Sequence, residues 1–238
     1  MRHILTAPLS GSSLKVALQY ARVIRLGKLD RQEKLGLFSV TLSMSATGFA
    51  YLHPWTYSAV MRVLHRGAYA LRYEAVTKHI PPQSSVIDLC CGDAELAGHL
   101  PDTVHYTGLD ANKRFVEHSR KNGRKVRLWD ARSGDIPSSD VVVIQSSLYQ
   151  FHPNDTALVK RAFAAATKRL VIAEPVINWT THGNWWQRAL ARRMTRVSGQ
   201  HFEFRHNEQT LDALVDRLGA SHIVRERAGR DYVLAIDK

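Results

Sequence analysis

The sequence predicts an α/β fold: a seven-stranded, mostly parallel sheet with helices on both faces, ended by a C-terminal antiparallel hairpin and preceded by a helical N-terminal extension. Three observations predict it. From Ser84 onward, short runs rich in Val, Ile and Leu alternate with helical patterns, the rhythm of parallel strands joined by crossover helices. Near the carboxyl end two strand-like runs, Ser221 to Arg227 and Tyr232 to Ile236, are separated only by a tight turn near Gly229. So short a link cannot cross over a sheet, and the runs must be antiparallel neighbours. Finally, acidic residues stand where three consecutive strands should end, at Asp88, Asp110 and Asp130.

In chain order, residues 1–80 read as a helical extension or cap, and residues 81–238 as the catalytic domain with a cap insert at about 176–205. Arg2, Lys15, Arg22, Arg25 and Lys28 precede the first acidic residue, Asp30. A transit peptide has such an acid-poor start, and a basic amphipathic helix packed on the domain explains it equally well. Leu35 to Leu52 carries no charge and has the length of a membrane span. Ser39, Thr41, Ser43, Ser45, Thr47 and two glycines interrupt it, so it reads as a buried or interfacial segment. Tyr57, Met61, Leu64 and His65 are spaced as one helix face, and Arg72 and Tyr73 follow shortly before the first strand.

The sheet strands are expected at Ser85 to Leu89, Val104 to Leu109, Val126 to Trp129, Val141 to Ser146 and Leu170 to Glu174. Helices are expected at Ala94 to Leu100, Arg114 to Asn122, Thr156 to Thr167 and Glu208 to Leu218, the last stopped by Gly219. The link Ala131 to Asp140 holds Gly134, Pro137 and paired serines, so its crossover helix is short or missing. In the insert, Trp179, Trp185 and Trp186 are three of the five tryptophans. A helix over His182 to Ser198 would align Trp186, Leu190 and Val197 on one face and Arg188, Arg192 and Arg196 on another. Such a helix can cap an apolar pocket while its arginines meet an anionic group on a substrate or a membrane surface.

In open parallel sheets, ligands bind beyond the carboxyl ends of the strands, so groups placed there converge on one crevice. The first strand runs into Asp88-Leu89-Cys90-Cys91-Gly92-Asp93-Ala94. This turn resembles the glycine-rich first motif of class I S-adenosylmethionine-dependent methyltransferases. Only Gly92 of its three glycines is retained, and Cys90 and Ala94 take the flanking places. Both are small, but each adds a Cβ where positive φ becomes costly. Asp93 also suits an N-cap of the next helix. Asp110 lies 22 residues after Asp88, the reach of an acidic side chain that accepts ribose hydroxyls. The resemblance implies a Rossmann-like methyltransferase domain with S-adenosylmethionine as cofactor. It gives Asp130 the exocyclic amine of adenine, and Cys90, Gly92, Ala111, Ala131 and Gln145 places along the same cofactor site.

The fourth strand ends in Gln145-Ser146-Ser147-Leu148-Tyr149-Gln150-Phe151-His152. Enzymes of this class that methylate nucleobase amines carry Asn or Asp, two prolines and an aromatic here, and this chain does not. Tyr149 and His152 are the candidate catalytic residues, either of which can orient or deprotonate an acceptor. Packing of the Tyr149 ring and a surface loop beginning at His152 explain the same residues.

A formal net charge of +12 attracts anions without choosing among nucleic acid, acidic lipid and small anionic substrates. The only two cysteines, Cys90 and Cys91, are sequence neighbours, ill-suited to a stapling disulfide and too few for a cysteine zinc site. A cytoplasmic protein is expected, with peripheral membrane contact left open. No metal is expected, since His-Glu-x-x-His spacing is absent; neither a Gly-Lys-Ser phosphate loop nor a Gly-x-Ser-x-Gly turn occurs. The leading reading is a methyltransferase for a small or lipid-like acceptor with an anionic or hydroxylated part. Its alternatives are a non-catalytic cofactor-binding protein of the same fold, and RNA binding or RNA methylation.

Overall fold

The computed structural model describes residues 69–177 and 204–238. The expectations for the basic start, for Leu35 to Leu52, for the Tyr57 to His65 face and for the tryptophan- and arginine-bearing helix of the insert lie outside the described residues.

The strands are β1 (Ser85–Leu89), β2 (His105–Asp110), β3 (Val126–Leu128), β4 (Ser139–Gln145), β5 (Ala166–Pro175), β6 (His222–Ala228) and β7 (Asp231–Asp237). They form one seven-stranded sheet in the order β3-β2-β1-β4-β5-β7-β6. Pairing is parallel from β3 through β5 and antiparallel where β7 meets β5 and β6. The helices are α1 (Tyr69–Thr77), α2 (Lys113–Lys121), α3 (Asp155–Ala165) and α4 (Glu208–Val215).

Val141 to Ile144 of β4 and Leu170 to Ala173 of β5 are continuous apolar runs, wholly buried because both faces of the sheet are covered. The two-residue period of a strand divides their side chains between two cores. Val142, Ile144, Leu170 and Ile172 meet Leu158, Val159 and Ala162 of α3 and Leu211 and Val215 of α4. Val141, Val143 and Val171 meet Tyr73 and Val76 of α1. Each such aliphatic burial is worth about 1.5–3 kcal/mol. α2 seats Val116 on Val126 of β3; its Asn112 cap accepts from the Arg114 N–H at 3.0 Å.

Several boundaries differ from expectation for local reasons. Ala94 to Leu100 was expected to be α-helical, whereas Glu95–His99 is a 3-10 turn whose cap position falls on Ala94 in the left-handed region, without a side-chain cap bond. At its other end Pro101 holds Leu100 extended (φ −91, ψ 146). β5 begins at Ala166, so α3 stops at Ala165 instead of reaching Thr167. The link after β3 contains no helix: the Gly134 N–H bonds the Asp130 carbonyl at 2.7 Å, and Arg161 of α3 donates to the carbonyls of Ala131 and Gly134. In the closing hairpin Ala228 pairs with Asp231. Gly229, at φ 62, takes the first of the two turn positions, where a left-handed residue matches the twist of the strands. No helix among the described residues is long and apolar enough to cross a membrane.

Candidate active site

The strand order sets the tips of β1, β2 and β3 side by side. Asp88 pairs with Gly108 and Asp110 with Leu128, so Asp88 and Asp110 stand on adjacent strands facing the same side of the sheet. Between them lies the turn after β1. Cys90, Gly92 and Ala94 have φ of 57, 57 and 56, the left-handed conformation at every second residue. For a non-glycine residue this costs about 1–2 kcal/mol. The backbone shape that the glycines of the related motif allow is therefore adopted at Cys90 and Ala94 against their preference.

β2 anchors this turn. The Asp110 carboxylate accepts the Gly92 N–H at 2.8 Å through Oδ2 and the Asn112 N–H at 2.7 Å through Oδ1. Burial raises its pKa and the two N–H donors oppose the rise. Each carboxylate oxygen has a second lone pair, so acceptor capacity remains. Gly108 leaves room for the turn: a Cβ there would lie 2.6 Å from the Cys91 sulfur and 2.9 Å from the Tyr106 hydroxyl. That hydroxyl donates to Asp88 Oδ2 at 2.8 Å. Asp88 is buried, and desolvation pushes its pKa up to about 7. Arg124 donates to the carbonyls of Asp93 and Ala94 from outside the turn. The two cysteines are free, and burial pushes the thiols of both upward.

Asp130 is exposed at the tip of β3, two residues beyond the strand, and its Oδ1 accepts the Arg132 N–H at 2.9 Å. The Trp129 N–H bonds the Asp110 carbonyl at 2.9 Å and ties the two tips together. Ala111 is exposed beside Asp110, and Ala131 is buried. Thus Asp88, Cys90, Gly92, Asp110, Ala111, Asp130 and Ala131 come to three neighbouring strand ends. Gln145 stands at the end of β4, its side-chain amide donating to the Arg72 carbonyl at 3.3 Å.

Beyond β4 the chain turns through Ser146 (φ 55) into a second 3-10 turn, Leu148–Phe151. Glu174, fully buried at the end of β5, accepts the N–H groups of Ser147 and Leu148, both at 2.7 Å; burial raises its pKa to about 7. Tyr149 lies in this turn and His152 directly follows it. Tyr149 is buried, with the Arg205 guanidinium 4.1 Å above its ring. His152 is 40% exposed, its Nδ1 donating to Asp155 Oδ2 at 2.9 Å. Phe204 stacks on the His152 ring at 3.6 Å, with 9° between the planes.

Sequence reasoning missed Tyr106, Arg124, Asp155, Glu174 and the run Phe204-Arg205-His206. The spacing of His152 and Asp155 is a usable sign, since an imidazole and a carboxylate three residues apart at a helix start can meet. A glutamate closing the apolar run of β5 is another. Nothing in the sequence pairs residues 204–206 with residues 149–155.

No family model matches the chain, and no curated protein matches it. The fold has many solved counterparts. A methyltransferase from Thermotoga maritima dependent on S-adenosylmethionine is similar at TM-score 0.57 and 17% identity, over 76% of this chain and 95% of its own. Human N-acetylserotonin methyltransferase, crystallised with that donor, is similar at TM-score 0.56 and 14% identity, over 96% and 68%. The plantazolicin methyltransferase BpumL, crystallised with the spent donor, reaches TM-score 0.57 at 10% identity, over 76% and 89%. With the sheet order, the closing hairpin and the β1 turn, these likenesses identify the fold as that of the class I S-adenosylmethionine-dependent methyltransferases.

Proposed function

We propose that this protein transfers a methyl group from S-adenosylmethionine to an oxygen or nitrogen of a small acceptor, with His152 as general base. The observation that carries the reading is the β1 turn, held left-handed at two non-glycine residues and fastened to Asp110. Keeping that shape at an energetic cost fits a retained ligand site. The donor supplies a methyl group on a positively charged sulfur. Asp110 would accept from the ribose hydroxyls through its remaining lone pairs, and Asp130 from the adenine amine. The backbone from Cys90 to Ala94, with Ala111, Ala131 and Gln145, would line the crevice, and Asp88, held by the Tyr106 hydroxyl, would support the turn from β1.

On the acceptor side, Asp155 accepts the Nδ1–H hydrogen bond of His152, which leaves the Nε2 lone pair to accept the proton an acceptor hydroxyl or ammonium must lose. Tyr149 and Arg205 would form a wall suited to an acceptor with an anionic or hydroxylated part. Isothermal titration of the purified chain with S-adenosylmethionine tests the core of the proposal. Asp110→Ala is expected to weaken donor binding roughly 10- to 100-fold, since a hydrogen bond to a charged group is worth about 1.5–3 kcal/mol. Equal affinity in the two proteins would remove Asp110 from the site.

A further inference from the structure

The run Phe204-Arg205-His206 leads into α4 from the end of the insert, and its three residues touch three groups around the proposed base. Phe204 lies on His152, Arg205 on Tyr149, and His206 against Asp155, with its Nε2 3.6 Å from the same Oδ2 that accepts the His152 hydrogen bond. His206 is 3% exposed. Its Nε2 is fully buried without a hydrogen-bond partner, directed at a carboxylate that is itself buried.

The surroundings of this imidazole decide its tautomer. Burial, opposed by Asp155 and aided by His152, lowers the pKa of His206 to about 4, so the ring is neutral at cellular pH. A neutral imidazole has one N–H and one lone pair. A lone pair at Nε2 would face the lone pairs of Asp155, which is repulsive, so the hydrogen belongs on Nε2. Nδ1 is then the lone-pair nitrogen, 3.3 Å from Thr210 Oγ1, whose one hydrogen it shares with the Asn207 carbonyl at 2.9 Å. Thr210 is locked in place by the capping box of α4, where its hydroxyl accepts the Asn207 N–H at 2.9 Å and its own N–H bonds the Asn207 side chain at 2.8 Å. Asp155 Oδ1 is already held by the Thr156 N–H at 2.7 Å. Oδ2 therefore faces two imidazole N–H groups, from His152 and His206.

We infer that His206 is a positioning residue for His152: its Nε2–H holds the Asp155 carboxylate in the orientation that keeps the His152 hydrogen on Nδ1 and the lone pair on Nε2. The inference rests on the reading of His152 as the base. A neutral donor suits the task because it stabilises the carboxylate without adding a positive charge that competes for it. The separation of 3.6 Å exceeds a full hydrogen bond, and such contacts often tighten only when substrates bind.

Ring-nitrogen NMR of the full chain labelled with 15N-histidine tests this without donor or acceptor, so its outcome is separate from the donor titration. His152 signals are assigned by their loss in His152→Asn, and those of His206 by their loss in His206→Phe. In the wild type His206 is expected as a single neutral tautomer with hydrogen on Nε2, and His152, read at a pH where its ring is neutral, as a single tautomer with hydrogen on Nδ1. His206→Phe is expected to turn His152 into an exchanging mixture, and His206→Gln, which retains an N–H, to restore the single form. Hydrogen on Nδ1 of wild-type His206 would overturn the inference even if the Phe variant failed to fold. An unaltered His152 tautomer in a folded His206→Phe protein would overturn it too.

Discussion

Asp88 illustrates how a single buried group links the site to solution conditions. Folded, it holds its proton to about pH 7; its unperturbed value is 3.8, and desolvation is the main cause. Between these values the folded state binds a proton that the unfolded chain has released, so stability contributed by Asp88 is present at low pH and lost as pH rises through the window. The stability difference between wild type and Asp88→Asn, from urea unfolding without donor, is expected to move against the wild type by roughly 2–4 kcal/mol between about pH 4 and about pH 8. A difference that does not change with pH would show that Asp88 is ionised throughout. His206 contributes the opposite slope, because its lowered pKa favours the folded state only while the ring stays neutral. Comparing Asp88→Asn with wild type cancels that contribution.

At the scale of an element, the turn after β3 replaces a crossover helix and depends on one glycine. A Cβ on Gly134 would lie 2.3 Å from Trp129 Nε1 and 2.9 Å from the Asp130 carbonyl. Trp129 uses that nitrogen to donate to the Asp135 carbonyl at 2.9 Å, so it cannot yield without opening the turn. Gly134→Ala is expected to destabilise the fold by about 1–3 kcal/mol and to weaken donor binding, since the same turn carries Asp130 and Ala131. Ser133→Ala, at an exposed neighbour, is expected to stay within about 0.5 kcal/mol of wild type. Equal unfolding midpoints for the two variants would mean that the turn tolerates the added methyl.

Across the whole molecule, a buried ion pair joins elements far apart in the chain. Arg72 of α1 lies 3.2 Å from Asp231 Oδ2 at the start of β7, and both side chains are almost wholly buried. The same guanidinium donates to the Ser146 hydroxyl at the end of β4. Breaking a buried pair from one side leaves an uncompensated charge and costs about 3–5 kcal/mol, whereas replacing both partners by apolar groups is often neutral. Arg72→Met is therefore expected to destabilise strongly and Arg72→Met with Asp231→Leu to recover most of the loss, measured by urea unfolding. If the double variant is as unstable as the single one, the uncompensated Asp231 charge is not what the substitution exposes.

Local chemistry alone determined much of this protein. Strand period and apolar runs located all seven strands to within a few residues, and β1 to the residue. The tight turn near Gly229 made β6 and β7 antiparallel, and Asp88 and Asp110 were placed at strand ends by the apolar runs that they close. These features depend on neighbours a few positions apart, which a sequence displays directly. Only the tertiary structure decided that Cys90 and Ala94 accept left-handed backbone, that Tyr106 rather than solvent meets Asp88, and that His206 reaches Asp155 across 50 intervening residues. Those contacts exist because the sheet order and the packing of α4 beside α3 bring distant segments together, and no local pattern carries that information.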